Sequence, residues 1–330
     1  MPTPTFSFIV PVYNRPEEVQ ELLQSLAEQT DTDFELILVE DGSTRPCRQV
    51  ADAYAHQLQI HYYAKENTGA GPSRNYGIER ASGTYLLFVD SDCILPPHYI
   101  AHTRAALAAQ PLDYWGGPDR AHPHFSPLQR AISFSMTSWL TTGGIRGTRQ
   151  NKVFNPRTFN MGVRAELMRR LGGFSPFWPG EDLELAIRAR AQGIYTALVP
   201  AAWVYHKRRS TLHSFFRQVR SFGRMRIHVY HRQRTGLKPM HFLPALYLLG
   251  TLSMPIWVGL GLLTGQAWLA LVPPALWLGY NLLLLLGAGL KNGLRVALLS
   301  FLSTQVMFFG YGSCLLWGLW QRYVRGRPLA

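Results

Sequence analysis

The chain has 330 residues, 47% of them hydrophobic and only 16% charged, which is length for two domains and too apolar for a disordered protein. All 20 acidic residues lie between Glu17 and Glu184, residues 1–204 balance them with 18 basic groups, and the net charge of +13 therefore belongs to the remainder. That basic remainder runs directly into a long apolar region, which suits an anionic lipid surface and argues against nucleic acid as a partner.

Met1–Thr5 carries no basic segment with an apolar core behind it, and Phe6–Val10 is too short for a signal sequence, so the first domain is expected in the cytosol. Phe6–Val10, Phe34–Val39, Ile60–Tyr63 and Tyr85–Val89 are apolar runs of strand length, separated by helical patterns near 16–29, 45–58 and 72–81. This alternation predicts an α/β domain over 1–204 with a doubly wound, parallel sheet. Cys47, Cys93 and Cys314 are scattered without metal-ligand spacing, so neither a disulfide framework nor a zinc site is expected, and a reducing compartment fits. Asp182 to Gln192 is amphipathic and stops at Gly193.

Leu212 to Tyr230 interleaves Phe215, Phe216, Val219, Phe222 and Ile227 with Arg217, Arg220, Arg224 and Arg226, so residues 205–240 read as a basic amphipathic interfacial segment. Phe242–Leu263, Ala267–Leu290 and Val296–Trp320 are free of charge, and about 20 helical residues suffice to cross a hydrocarbon core. Residues 241–330 are therefore expected to be an α-helical membrane region with two to three membrane segments. Pro244, Pro255, Pro273 and Pro274 are expected to kink or break the first two. Lys291 and Arg295 agree with a cytosolic loop, whereas three full crossings would put Arg322, Arg325 and Arg327 outside, against the positive-inside rule.

In an open parallel sheet the ligand site forms at the carboxyl ends of the strands. The first strand is followed by Pro11, Val12, Tyr13 and Asn14, the second by Glu40, Asp41, Gly42 and Ser43, and the fourth by Asp90, Ser91 and Asp92. Each alone is an ordinary turn or cap; together on one edge they imply an acidic pocket. Asp90 and Asp92, two apart across a strand terminus, offer oxygens to a hard divalent cation that neutralises a diphosphate. Glu66 to Asn75, which includes Asn67 and Arg74, is a small-residue loop opening a helix and suits a phosphate or sugar hydroxyls. It matches neither the Walker nor the dinucleotide glycine pattern. Glu181 and Asp182 fit two roles, acids stabilised at a helix N-terminus or a catalytic pair.

Taken in order from Phe6 to about Arg224, these motifs resemble an inverting family 2 glycosyltransferase of the GT-A fold, the later marks being Phe159 to Arg164, Leu171 to Phe174 and Gly180-Glu181-Asp182. The resemblance implies a Rossmann-like, mostly parallel catalytic domain. Pro11, Tyr13, Asn14, Glu40 and Asp41 would hold the base and ribose of a nucleotide-diphosphate sugar, together with Asn67, Arg74, Asp90 and Ser91. Asp92, Asp90 and His206 would bind Mn²⁺ or Mg²⁺, and Arg217 and Arg220 the diphosphate. Asp182 would be the general base, supported by Glu181 and Asn160 on the acceptor side. Glu40 stands where many relatives have Asp. Processive relatives carry Gln-x-x-Arg-Trp where this chain reads Arg217-Gln218-Val219-Arg220-Ser221, without the Trp, which implies transfer of a single sugar. The acceptor expected for such a membrane-bound enzyme is a glycan or lipid-linked hydroxyl, and the place a bacterial inner membrane. A sugar-phosphate nucleotidyltransferase and a catalytically inactive, membrane-tethered binding subunit are the competing readings.

Overall fold

The computed structural model describes residues 5–143, 154–175 and 180–326. In chain order it runs β1 (Phe6–Val12), α1 (Pro16–Ala27), β2 (Phe34–Asp41), α2 (Arg48–Tyr54), β3 (Ile60–Lys65), α3 (Ala70–Ile78) and β4 (Tyr85–Phe88). Next come β5 (Cys93–Ile94), α4 (Tyr99–Ala109), β6 (Tyr114–Gly116), β7 (Asp119–Arg120), α5 (Pro127–Thr137) and α6 (Trp139–Thr142). The chain continues through β8 (Met161–Arg164), α7 (Ala165–Leu171), α8 (Glu181–Ala191), β9 (Ala197–Leu198), β10 (Val204–His206) and α9 (Leu212–Gln233). It ends with three long helices, α10 (Leu243–Thr264), α11 (Ala267–Asn292) and α12 (Leu294–Leu319).

Two compact units emerge, Met1–His122 with Gly147–Lys207, and Pro123–Arg146 with Arg208–Ala330. The first is built on a seven-stranded sheet ordered β3-β2-β1-β4-β8-β6-β9. Strands β3, β2, β1 and β4 are parallel, as their continuous apolar runs predict, but β8 lies antiparallel between β4 and β6, so the sheet is mixed rather than wholly parallel. Alternate residues feed two cores. Phe8, Val10, Leu36 and Leu38 pack with Val19, Leu22 and Ile100 on one face; Ile9, Ile37 and Val39 pack with Ile78, Met168 and Leu185 on the other. Burial on both faces is why these strands show unbroken hydrophobicity instead of alternation. A second, three-stranded sheet, β5-β10-β7, pairs Cys93 with His206 in antiparallel register.

The second unit differs from the expected division at residue 204. Residues 123–146 belong with it because α5 inserts Ile132 and Met136 into a cluster with Phe215, Val219, Met307 and Phe308. There Ser135 Oγ shares hydrogen bonds with Ser303 Oγ at 2.6 Å and Thr304 Oγ1 at 2.9 Å. The same cluster covers the apolar face of α9, so 205–240 is an integral part of this unit and not a separate segment. Helices α10 and α11 run unbroken through Pro255 and through Pro273 and Pro274, and Pro244 sits in the first turn of α10, where no helical hydrogen bond is lost. Among the described residues, three helices are long and apolar enough to cross a membrane. Arg327 lies outside the described residues.

Candidate active site

Every strand-end segment singled out by sequence, together with His206, Glu181 and Asp182, falls in the first unit. At the end of β1, Asn14 takes a left-handed conformation (φ 56°) and its side-chain oxygen accepts from Arg45 N at 2.9 Å and Thr44 Oγ1 at 3.0 Å. Asn14 N donates to Ser43 Oγ at 2.7 Å, so the segment after β1 is locked to the turn after β2. Gly42, with φ +71°, makes that turn; a Cβ there would lie 2.6 Å from Asn67 N. Pro11 is held within β1, and Tyr13 just beyond it is about half exposed.

The two acids that end β2 turn inward. Glu40 accepts from Cys47 N at 2.7 Å, Tyr62 Oη at 3.1 Å and the Ser43 hydroxyl. Its carboxylate shapes its own loop. Asp41 binds Lys65 Nζ at 2.5 Å and accepts from Thr68 N at 2.9 Å and Gly69 N at 2.8 Å, while Asn67 Nδ2 donates to Asp41 O at 2.9 Å. Burial opposes the charged form of Asp41, but Lys65 and these amides outweigh it and hold its carboxyl below the usual range. Asp41 therefore fixes the Glu66–Gly69 loop at the start of α3.

Arg74 is buried in α3 and forks: Nη2 reaches Asp90 Oδ1 at 2.7 Å and Nη1 reaches Glu181 Oε1 at 3.0 Å. It joins the end of β4 to the start of α8, with Phe174 stacked 5.6 Å from the guanidinium. Burial pushes the Glu181 carboxyl up against the pull of Arg74. Arg74→Met is expected to cost about 3 kcal/mol or more, because it leaves a buried carboxylate without its counter-charge. A fall in the denaturation midpoint checks this; an unchanged midpoint would show that the fork carries no stability.

Asp92 owes its surroundings to the small sheet. The pairing of Cys93 with His206 sets His206 Nε2 3.3 Å from Asp92 Oδ1, and Lys207 N donates to Asp92 O at 3.0 Å. The other carboxylate oxygen accepts from Arg15 Nη1. Oδ1 is buried and has no aligned hydrogen bond. Burial works against the charged form, yet His206 and Arg15 outweigh it and hold the Asp92 carboxyl well below the ordinary value. Asp92, Cys93 and His206 place their ligand atoms within 4.8 Å of one another. Cys93 Sγ donates to Phe159 O at 3.4 Å, and His206 stacks on the Phe159 ring at 4.6 Å. A buried carboxylate oxygen beside an imidazole, with no well-aligned hydrogen bond of its own, fits a divalent cation; the thiol belongs to the scaffold. Ser91 is buried between the two aspartates.

Asp182 occupies the first turn of α8 behind Gly180, whose φ of 115° only glycine adopts readily. Its Oδ1 accepts from Leu183 N at 2.7 Å, and Oδ2 faces Arg157 Nη1 at 3.3 Å. Asn160 is fully buried and its amide is committed to Tyr99 Oη at 2.7 Å, Ala202 O at 2.8 Å and Pro118 O at 3.4 Å. These bonds brace the backbone just before β10 and beside β7. Arg217 and Arg220 lie on α9 in the second unit; Arg217 is exposed, and Arg220 Nε contacts Cys314 Sγ at 3.3 Å. Sequence reasoning missed Arg15, Lys65 and Arg157. Arg15 directly follows Asn14 and was within view, whereas Lys65 and Arg157 leave no local signal.

Residues 7–172 match the family model described as Glycosyl transferase family 2. "Validoxylamine A glucosyltransferase" of Streptomyces hygroscopicus subsp. jinggangensis is 29% identical over 230 residues, covering 61% of this chain and 54% of the relative. "Poly(ribitol-phosphate) beta-N-acetylglucosaminyltransferase TarS" of Staphylococcus aureus is 41% identical over 91 residues, covering 26% of this chain and 16% of the relative. The chain spans about half the length of the first of these curated relatives. Among solved structures, "Mannosyltransferase PcManGT from Pyrobaculum calidifontis in complex with GDP-Man and Mn2+" aligns with TM-score 0.60 at 18% identity, covering 97% of this chain and 88% of that one. "Crystal structure of S. aureus TarS 1-349" aligns with TM-score 0.51 at 19% identity, covering 99% and 93%. At these identities the structural likeness is one of fold.

Proposed function

Because this chain belongs to glycosyl transferase family 2, we propose that its first unit transfers a single sugar, with inversion, from a nucleotide-diphosphate donor to a hydroxyl acceptor. We further propose that the second unit holds it at a membrane, with the acceptor a glycan or lipid-linked hydroxyl and the catalytic unit on the cytosolic side of a bacterial inner membrane. The observation that carries the chemistry is the division of labour among the acids. Asp92 and His206 stand together where β10 pairs with β5, Asp90 beyond β4 is held by Arg74, and Asp182 stands at a helix start with one carboxylate oxygen facing Arg157.

Tyr13 and Asn14 border the place for the base and ribose, and Asp41 holds the Asn67 loop against it. Asp92 and His206, with Asp90, would hold Mn²⁺ or Mg²⁺, which supplies positive charge to the departing diphosphate. The named relative structure contains GDP-Man and Mn²⁺, which supports this donor and ion class. Asp182 takes the acceptor proton as its oxygen attacks the anomeric carbon from the face opposite the diphosphate. Arg157 orients that carboxylate.

The test is a donor screen on purified full chain in lipid, with and without Mn²⁺ or Mg²⁺, reading the released nucleotide. A nucleoside diphosphate released in step with acceptor supports the proposal. Pyrophosphate would mean a nucleotidyltransferase, and absence of turnover with every donor and acceptor would mean a binding subunit.

A further inference from the structure

We propose that only α10 and α11 cross the bilayer, as a hairpin turning at Thr264–Gln266, and that α12 stays on the side of α9, so that the C-terminal end and the basic helix share one face of the membrane. The inference rests on the membrane reading of the second unit given above. Three helices qualify by length and apolarity, but they are not alike. In α10 and α11 only 11% of the apolar window is buried in the protein, against 44% in α12. Leu249, Leu252 and Ile256 on α10 and Leu271, Leu276 and Leu283 on α11 are exposed.

The second half of α12 is lined by α9. A Cβ at Gly310 would lie 2.8 Å from Val219 Cγ2 and 2.9 Å from the Phe216 ring, and one at Gly318 would lie 3.2 Å from Ile227 Cγ1. A Cβ at Gly223 of α9 would lie 2.5 Å from Tyr311 O and 3.2 Å from Cys314 Cβ. Beyond them Arg322 Nε contacts His231 Nδ1 at 3.3 Å. Helix α9 thus lies beside α12 from about Phe308 to Arg322, and the missing side chains of three glycines bring the two backbones close. It also carries Arg217, Arg220, Arg224, Arg226 and Arg232. If this half of α12 entered hydrocarbon, those arginines would enter with it, in a chain that has no acidic residue after Glu184. A guanidinium at the centre of a bilayer is expensive, and five are prohibitive.

The hairpin carries no such burden. Leu243 to Leu290 contains no charged residue. Helix α12 meets the hairpin at its open end, where Gln305 bonds Tyr247 and Asn281 and a Cβ at Gly312 would lie 2.6 Å from Pro244 O. From Leu248 to Thr264 α10 still extends about 25 Å, the lower end of what crosses the hydrocarbon core. With two crossings, Lys291, Arg295, Arg322, Arg325 and the basic helix all face the same compartment, as the positive-inside rule requires. The conflict that three crossings create is thereby removed.

The test uses the full chain with single added cysteines at exposed positions, Gln266→Cys, Arg325→Cys and His213→Cys, the native thiols being buried. Sealed right-side-out vesicles are treated with an impermeant maleimide before and after permeabilisation, and a parallel sample is washed with alkaline carbonate. The expected result is labelling of Gln266→Cys in sealed vesicles and of the other two only after permeabilisation, with the protein retained through the wash. Thr264→Cys repeats the hairpin measurement should Gln266→Cys fail to accumulate. Labelling of Arg325→Cys in sealed vesicles would show that α12 crosses and overturn the inference. Protection of all three in a carbonate-resistant protein would show a hairpin that dips without crossing, and would overturn it too. Release by carbonate would overturn the membrane reading itself, and this inference with it.

Discussion

Asp182→Asn is expected to lower turnover by about 10²–10⁴ while donor affinity and thermal stability stay close to those of the parent. Asparagine keeps the size of the side chain and the oxygen that accepts from Leu183 N, so the first turn of α8 retains its local bond. What it loses is the basic oxygen facing Arg157. An acid that merely complements the helix dipole would behave otherwise, with a stability change of about 1 kcal/mol or less and activity following the folded fraction. Single-turnover transfer measured beside thermal unfolding separates the two, and a folded variant with near-parental rate would remove Asp182 as the base. Glu181→Gln makes the control informative. Sequence alone suggests a mild positioning role, but Glu181 is half of the buried fork on Arg74, so its substitution is expected to act on stability.

Asp92→Asn is expected to abolish the divalent-ion dependence of donor binding. Substitutions that only orient a metal ligand already cost about 10–100-fold in affinity or activity, so loss of the ligand itself should cost at least about 100-fold. Asp92 has the buried oxygen and the imidazole neighbour that suit such a role. Donor affinity followed across a Mn²⁺ titration is the measurement. An unchanged, metal-independent affinity would reduce Asp92 to a partner of Arg15.

What the sequence revealed of this fold follows from the length scale of each signal. Strands β1 to β4 stand out because both faces are buried and their apolar runs stop at polar residues, which is also why Asp41 and Asp90 were visible as edge positions. Strand β8 has four residues, and β5, β7 and β10 have two or three, too few for any periodicity. Yet β8 makes the sheet mixed, and the β5–β10 pair is what carries His206 to Asp92 across more than a hundred positions. Helix α5 shows an apolar face, but no sequence pattern states which partner that face will meet, and it met α12. The same limit hides the internal hydrogen bonds of Glu40 and Asn160, whose partners lie far along the chain or in a turn that no residue pattern specifies.

The Arg74 fork has an evolutionary consequence. One planar cation serves two carboxylates, Asp90 and Glu181, that come from opposite halves of the domain. A lysine concentrates its charge at one point and cannot span both directions, so even that exchange is not neutral. Drift at any one of the three positions strands the other two, and the substitutions accepted at them in descendants of this chain should arrive as a set. The half that ends at β4 and the half that begins at α8 are thereby inherited together, and a chimera that takes each from a different ancestor will fail at this junction unless all three residues travel with it.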